Sequence, residues 1–150
     1  MGGTMNNEDN RPEQVAELCK RLSDEKEKQI KDLKILIAED DKISEILLTI
    51  AVKMLGKEVL KVITGVEAVE VCRNNPDLDL VLMDIVMPEM NGYEATRQIR
   101  QFNKDVVIIA QTAYVIAGER EKAIAAGCND YIAKPFTSSL SDFFFKGHIA

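Results

Sequence analysis

Leu78-Asp79-Leu80-Val81-Leu82-Met83-Asp84, followed at once by Ile85-Val86-Met87-Pro88-Glu89-Met90-Asn91-Gly92, is the stretch that decides the fold. Its first half is a short, nearly unbroken apolar run, the signature of a strand buried on both faces. The run stops at a carboxylate, and Pro88, Asn91 and Gly92 then supply a turn and the start of a helix. A carboxylate at the carboxyl end of a buried strand faces the crevice where open α/β sheets bind ligands. Asp84 is therefore the first candidate for chemistry.

Working outward, strand-like and helix-like segments alternate. Residues 34–38 are an apolar run, and Ile43, Ile46, Leu47, Ile50 and Met54 then recur at helical spacing up to Gly56. Residues 58–64 are rich in Val, Leu and Ile, and a helical pattern over 66–73 stops before Asn74-Asn75-Pro76, because a proline pushes its predecessor out of α geometry. Residues 78–84 form the third strand, and Tyr93, Thr96 and Ile99 mark the next helix. A fourth strand covers 105–111, its following helix ends at Gly127 in a left-handed cap, and 131–133 make a short fifth strand. Strands joined by helices are parallel, and their apolar runs need cover on both faces. The expected fold is a three-layer α/β sandwich.

A chain of 150 residues accommodates one domain of ordinary size plus a short extension. The net charge of −6 argues against a direct nucleic-acid surface, which needs clustered Lys and Arg. No apolar stretch approaches the ~20 residues that span a bilayer, and the polar residues 1–11 lack a signal-peptide core, so no membrane contact and a cytoplasmic location are expected. Cys19, Cys72 and Cys128 are widely spaced and read as reduced thiols. Residues 1–11 read as a disordered lead. Pro12 suits a first helical position, and Val15, Leu18, Cys19 and Leu22 make a weak apolar stripe on a charged linker helix reaching about residue 31. Pairing through that stripe would give a weak homodimer.

In a parallel sheet the residues just after each strand converge on one edge, so Glu39, Asp40, Asp84, Thr112 and Lys134 become neighbours. Three close carboxylates raise each other's pKa unless a cation intervenes, and an all-oxygen donor set suits a hard divalent ion, most plausibly Mg2+. Lys134 adds a point charge able to pair with Asp84 or with a phosphoryl oxygen, and Thr112 adds a hydroxyl donor. Singly, each has a plainer reading: the acidic triplet caps a helix, Asp84 forms a turn, Thr112 ends a strand, and Lys134 precedes the turn residue Pro135. Asp41 is expected to be such a cap. Their joint occurrence at four strand ends favours a metal and phosphoryl site.

With these residues in place, the sequence resembles the receiver domains of two-component response regulators. The matching segments are Lys34-Ile-Leu-Ile-Ala-Glu-Asp40, Leu82-Met-Asp-Ile-Val-Met-Pro-Glu-Met-Asn-Gly92, Ile109-Ala-Gln-Thr-Ala113 and Asp130-Tyr-Ile-Ala-Lys-Pro-Phe136. The resemblance implies a flavodoxin-like, doubly wound sheet of five parallel strands in the order 2-1-3-4-5, with an extension and linker over 1–32 and the receiver over 33–150. It implies that Asp84 is the phosphoacceptor, and that Glu39, Asp40, Asp84 and the backbone carbonyl of Val86 hold Mg2+. Thr112 and Lys134 would contact the phosphoryl group, Ala113 would leave access to it, and Tyr131 would switch position with Thr112. A cis Lys134-Pro135 bond is also implied.

The segments around Met87 and Gly127 look most like receivers fused to histidine kinases. The implied function is to take a phosphoryl group from phosphohistidine onto Asp84 and change conformation, as part of a hybrid sensor histidine kinase. The implied partner is a histidine kinase or a histidine-phosphotransfer protein. A stand-alone single-domain response regulator is the alternative. Catalysis would extend only to the domain's own phosphorylation and dephosphorylation. Two features depart from the family pattern: Asn91 replaces the usual Asp, and the last segment carries Phe143, Phe144 and Phe145, which cannot all face inward on one helix.

A phosphatase of the haloacid dehalogenase type also uses Asp, Mg2+, Thr and Lys, but it needs an Asp-x-Asp pair where position 86 is Val, and a cap domain. A flavin binder predicts a phosphate-cradling loop where Glu39-Asp40-Asp41 would repel phosphate. A pseudo-receiver would lack the acidic and basic site groups, and His148 has no histidine-phosphotransfer pattern around it.

Overall fold

In the computed structural model, residues 32–53, 55–113 and 117–134 are described. They form β1 (Leu33–Ala38), α1 (Lys42–Val52), β2 (Gly56–Val62), α2 (Gly65–Asn74), β3 (Leu80–Asp84), α3 (Gly92–Arg100), β4 (Val107–Thr112), α4 (Glu119–Ala126) and β5 (Asp130–Ala133). The strands make one parallel sheet in the order β2-β1-β3-β4-β5, the expected flavodoxin-like topology. The linker helix of 12–31, its homodimer stripe, Cys19, Met54, the bond to Pro135, the Phe-rich segment and His148 lie outside the described residues.

Strand alternation divides the core into two layers. Leu36, Ala38, Val81, Met83, Ile108 and Ala110 face α2, α3 and α4, where Ala68, Cys72, Ala95, Ile99 and Ala123 meet them. Ile35, Ile37, Leu80, Leu82, Val107 and Ile109 face the other way, against Leu48, Ala51 and Val52 of α1. Each fully buried Leu or Ile contributes roughly 1.5–3 kcal/mol of burial free energy. Strands covered on both sides explain why the apolar runs carried no alternation. Cys72 and Cys128 are free thiols in the first layer, and burial pushes them up to about 12 and about 11.

The element ends have local causes. Asp41 caps α1 by accepting from the Ser44 N–H at 2.9 Å, as expected. Thr64 and Glu67 form a reciprocal capping box on α2. Gly127 closes α4 at φ 115°, a left-handed conformation open to glycine. The third strand starts at Leu80 rather than Leu78, and β2 starts two residues earlier than expected, at Gly56, where it pairs with Leu33 through a register shift.

Ile43, Ile46, Leu47 and Ile50 are 66, 43, 37 and 63 % exposed, and the buried side of α1 is Glu45, Leu48, Ala51 and Val52. This helix carries more apolar residues than one face can hold, so periodicity alone did not select the inward stripe. Buried Glu45 is served by the Lys61 ammonium at 2.9 Å, the Lys42 ammonium at 3.0 Å and the Thr49 hydroxyl at 2.8 Å. Lys61 foremost, then Thr49 and Lys42, lower its pKa to about 2.

Candidate functional site

Ile37, Leu82, Ile109 and Ile132 all lie in or against the α1-side layer. Two residues further along each strand come Glu39, Asp84, Gln111 and Lys134, so alternation carries all four to the same side at the carboxyl edge. The register agrees: Ala38 pairs with Met83, so Glu39 falls beside Asp84, and Asp84 pairs with Gln111. The Lys134 N–H continues the ladder onto the Thr112 carbonyl at 2.7 Å, which aligns the lysine with the row.

Within the row the Lys134 ammonium is shared, 2.9 Å from Glu39 Oε1 and 3.3 Å from Asp84 Oδ1. Asp40, exposed, completes an acidic group with Glu39 and Asp84, one carboxylate oxygen of each lying within 4.8 Å of the others. Burial and then the Glu39 charge push the Asp84 carboxyl up to about 7 against the pull of Lys134. Burial works against the Lys134 charge too, but Glu39 and Asp84 outweigh it and hold its pKa above the ordinary lysine value. Among the described residues one cation serves both buried carboxylates, so the pocket has a deficit of positive charge. An all-oxygen set with such a deficit fits a hard divalent cation.

The loop after Asp84 is held tightly. Gly92 donates to the Ile85 carbonyl at 2.8 Å, and a β-carbon at position 92 would collide with the Asp84 carbonyl. Asn91 caps α3 by accepting from the Glu94 N–H at 2.9 Å, so its replacement of the usual Asp leaves the cap intact. Glu89 sits at φ 70°, an uncommon conformation for a residue with a side chain. Val86 turns its side chain outward, 63 % exposed.

Thr112, the last residue of β4, is buried. Ala113 follows it and is exposed. Tyr131 is buried in the layer under α3 and α4 and is paired in register with Ala110. Sequence reasoning missed Gln111. The available signal was an amide inside an apolar parallel strand, since a buried carboxamide needs a partner. That partner is Glu39 Oε1, which accepts from Gln111 Nε2 at 3.3 Å.

The acidic cluster and Lys134 stand together at the carboxyl edge of a 2-1-3-4-5 parallel sheet. The family model of the response regulator receiver domain matches residues 35–140, and the chain belongs to that family. It is 41 % identical over 124 residues to hybrid signal transduction histidine kinase G of Dictyostelium discoideum, covering 77 % of this chain and 4 % of that protein. Among solved structures it resembles the receiver domain of a sensor histidine kinase from Pseudomonas aeruginosa PAO1, which has magnesium coordinated in its active-site cleft. That match has 34 % identity and a TM-score of 0.63, over 75 % of this chain and 98 % of that one. It also resembles the Saccharomyces cerevisiae complex of the phosphotransfer protein Ypd1 with the Ssk1 receiver domain, at 30 % identity and a TM-score of 0.68, over 79 % of this chain and 90 % of that one. The chain thus spans a small part of its hybrid-kinase relative, and among its described residues no helix is long and apolar enough to cross a membrane.

Proposed function

We propose that this chain is the phosphoacceptor of a phosphorelay, taking a phosphoryl group from phosphohistidine onto Asp84 and working in the cytoplasm as part of a hybrid sensor histidine kinase. The observation that carries the reading is the buried Asp84 carboxylate set against Glu39, Asp40 and Lys134. Similarity to a hybrid kinase over most of this chain supports the parentage.

In this reading an Asp84 oxygen attacks phosphorus in line. The P–N bond to the donor imidazole breaks, its electron pair stays on nitrogen, and Asp84 carries an acyl phosphate. Positioning and charge stabilisation supply most of the catalysis in such a loose phosphoryl transfer. Mg2+, held by Glu39, Asp40, Asp84 and the Val86 carbonyl, would neutralise charge on the phosphoryl oxygens. Lys134 moves from its shared position between Glu39 and Asp84 to a phosphoryl oxygen, and Thr112 turns its hydroxyl to another. Exposed Ala113 leaves the approach open. Water later attacks phosphorus, releases phosphate and restores the carboxylate. The added charge of roughly −1.5 to −2 biases Thr112 and Tyr131 toward a second arrangement, which is the output.

The donor docks on the exposed stripe Ile43, Ile46, Leu47 and Ile50 of α1, the helix that follows Glu39 and Asp40. A contiguous apolar face next to a charged pocket suits a helical phosphohistidine carrier, which buries apolar surface while delivering its phosphate to the acidic site. The solved pairing of Ypd1 with a related receiver supports this partner class.

Incubation with a small phosphoryl donor, with and without Mg2+, tests the reading by intact mass. One Mg2+-dependent phosphoryl adduct is expected on the wild-type chain and none on Asp84→Asn. An undiminished adduct on Asp84→Asn would place the acceptor elsewhere.

A further inference from the structure

We propose that Gln111 is a positioning residue for Glu39, holding that carboxylate ready for the divalent cation when Lys134 leaves it. The inference rests on the functional reading above, in which the lysine moves from the acids to the phosphoryl group.

Three donors reach Glu39. Lys134 Nζ and Gln111 Nε2 both reach Oε1, at 2.9 and 3.3 Å, and the Asp41 N–H reaches Oε2 at 3.0 Å. They differ in what they do to charge. Lys134 neutralises the acid and is the one that departs. The Asp41 N–H is backbone and cannot be tuned by substitution. Gln111 is neutral, stays in place because its strand is paired on both sides, and orients the carboxylate without cancelling the charge that a cation needs.

The position does not require an amide for packing. Val107 and Ile109, the preceding residues on the same side of β4, are apolar and buried, and Gln111 is itself only 2 % exposed. An aliphatic residue would extend that layer at lower desolvation cost. A buried carboxamide spending its donor on a candidate metal ligand 72 residues away is accounted for by what it does to that ligand. Groups that orient metal ligands from behind typically cost roughly 10–100-fold in metal affinity when removed.

The test titrates Mg2+ into the full 15N-labelled chain and follows backbone amides around Asp40. The wild type is compared with Gln111→Met, Glu39→Gln and the double variant, with a phosphoryl donor assay at saturating Mg2+ alongside. Gln111→Met should bind Mg2+ roughly tenfold more weakly and regain its adduct when Mg2+ is raised. The double variant should bind no more weakly than Glu39→Gln alone. Unchanged affinity in Gln111→Met overturns the inference, and so does an equal further loss in the Glu39→Gln background, which would mark a packing effect. Absence of Mg2+ binding by the wild type overturns the functional reading itself. Gln111→Thr, β-branched and at home in a strand, serves in the same cycle if the Met variant does not fold.

Discussion

Glu45 and Asp84 are both buried carboxylates within 3.3 Å of a lysine, yet their pKa values move in opposite directions, to about 2 and about 7. Glu45 has two lysines and a threonine hydroxyl to itself, so its charged form is stabilised. Asp84 shares one lysine with Glu39, and burial together with that second acid disfavours its charge. The first arrangement fastens α1 to β2. The second leaves an electrostatic deficit in a folded core. Burial of an acid beside a base therefore does not by itself mark a candidate site; an excess of acids over bases does.

Removing Lys134 from the deficient site should have the largest effect. Lys134→Ala strips Asp84 and Glu39 of their shared cation, and phosphorylation by a small donor should slow by about 10²–10³-fold, the range for losing one preorganised charge stabiliser. A rate within a factor of two of wild type would end the distinction between the two acids.

Neutralising Asp84 should do the reverse to stability. Its folded pKa lies above the ordinary 3.8, so its favourable contribution is full below about pH 4 and is lost as pH rises through about 7. Without Mg2+, Asp84→Asn should be more stable than wild type at pH 8 by about 2 kcal/mol, with the gap closing by pH 4, read from urea unfolding.

Glu45→Gln is the smaller counterpart. A depressed pKa contributes stability above about pH 4.5 that is lost as pH falls toward 2. Because Lys61 and Lys42 are themselves substantially exposed, the substitution should cost only about 1 kcal/mol at pH 7, shrinking on acidification. A stabilising Glu45→Gln would break the comparison from the other side.

Most of the architecture was legible because strand ends and helix stops rest on local chemistry. The carboxylate ending Leu80–Asp84, the break before Pro76, the Asp41 cap and the Gly127 cap each follow from one or two residues. What was not legible depends on tertiary choice. The stripe Ile43, Ile46, Leu47 and Ile50 has helical spacing, but which side of α1 turns inward is set by the sheet beneath it. Which strand-end residues share a side follows from the parity of each strand, and that requires the register. Parity brings Gln111 into the acidic row, two residues beyond Ile109 on the same side of β4.

That parity constrains how the family member can change over time. A one-residue insertion or deletion inside β4 would turn Gln111 to the opposite face of the sheet and move its amide away from Glu39. Length changes in the loops after the strands carry no such penalty. Descendants of this sequence should vary in the loops while their strands keep count.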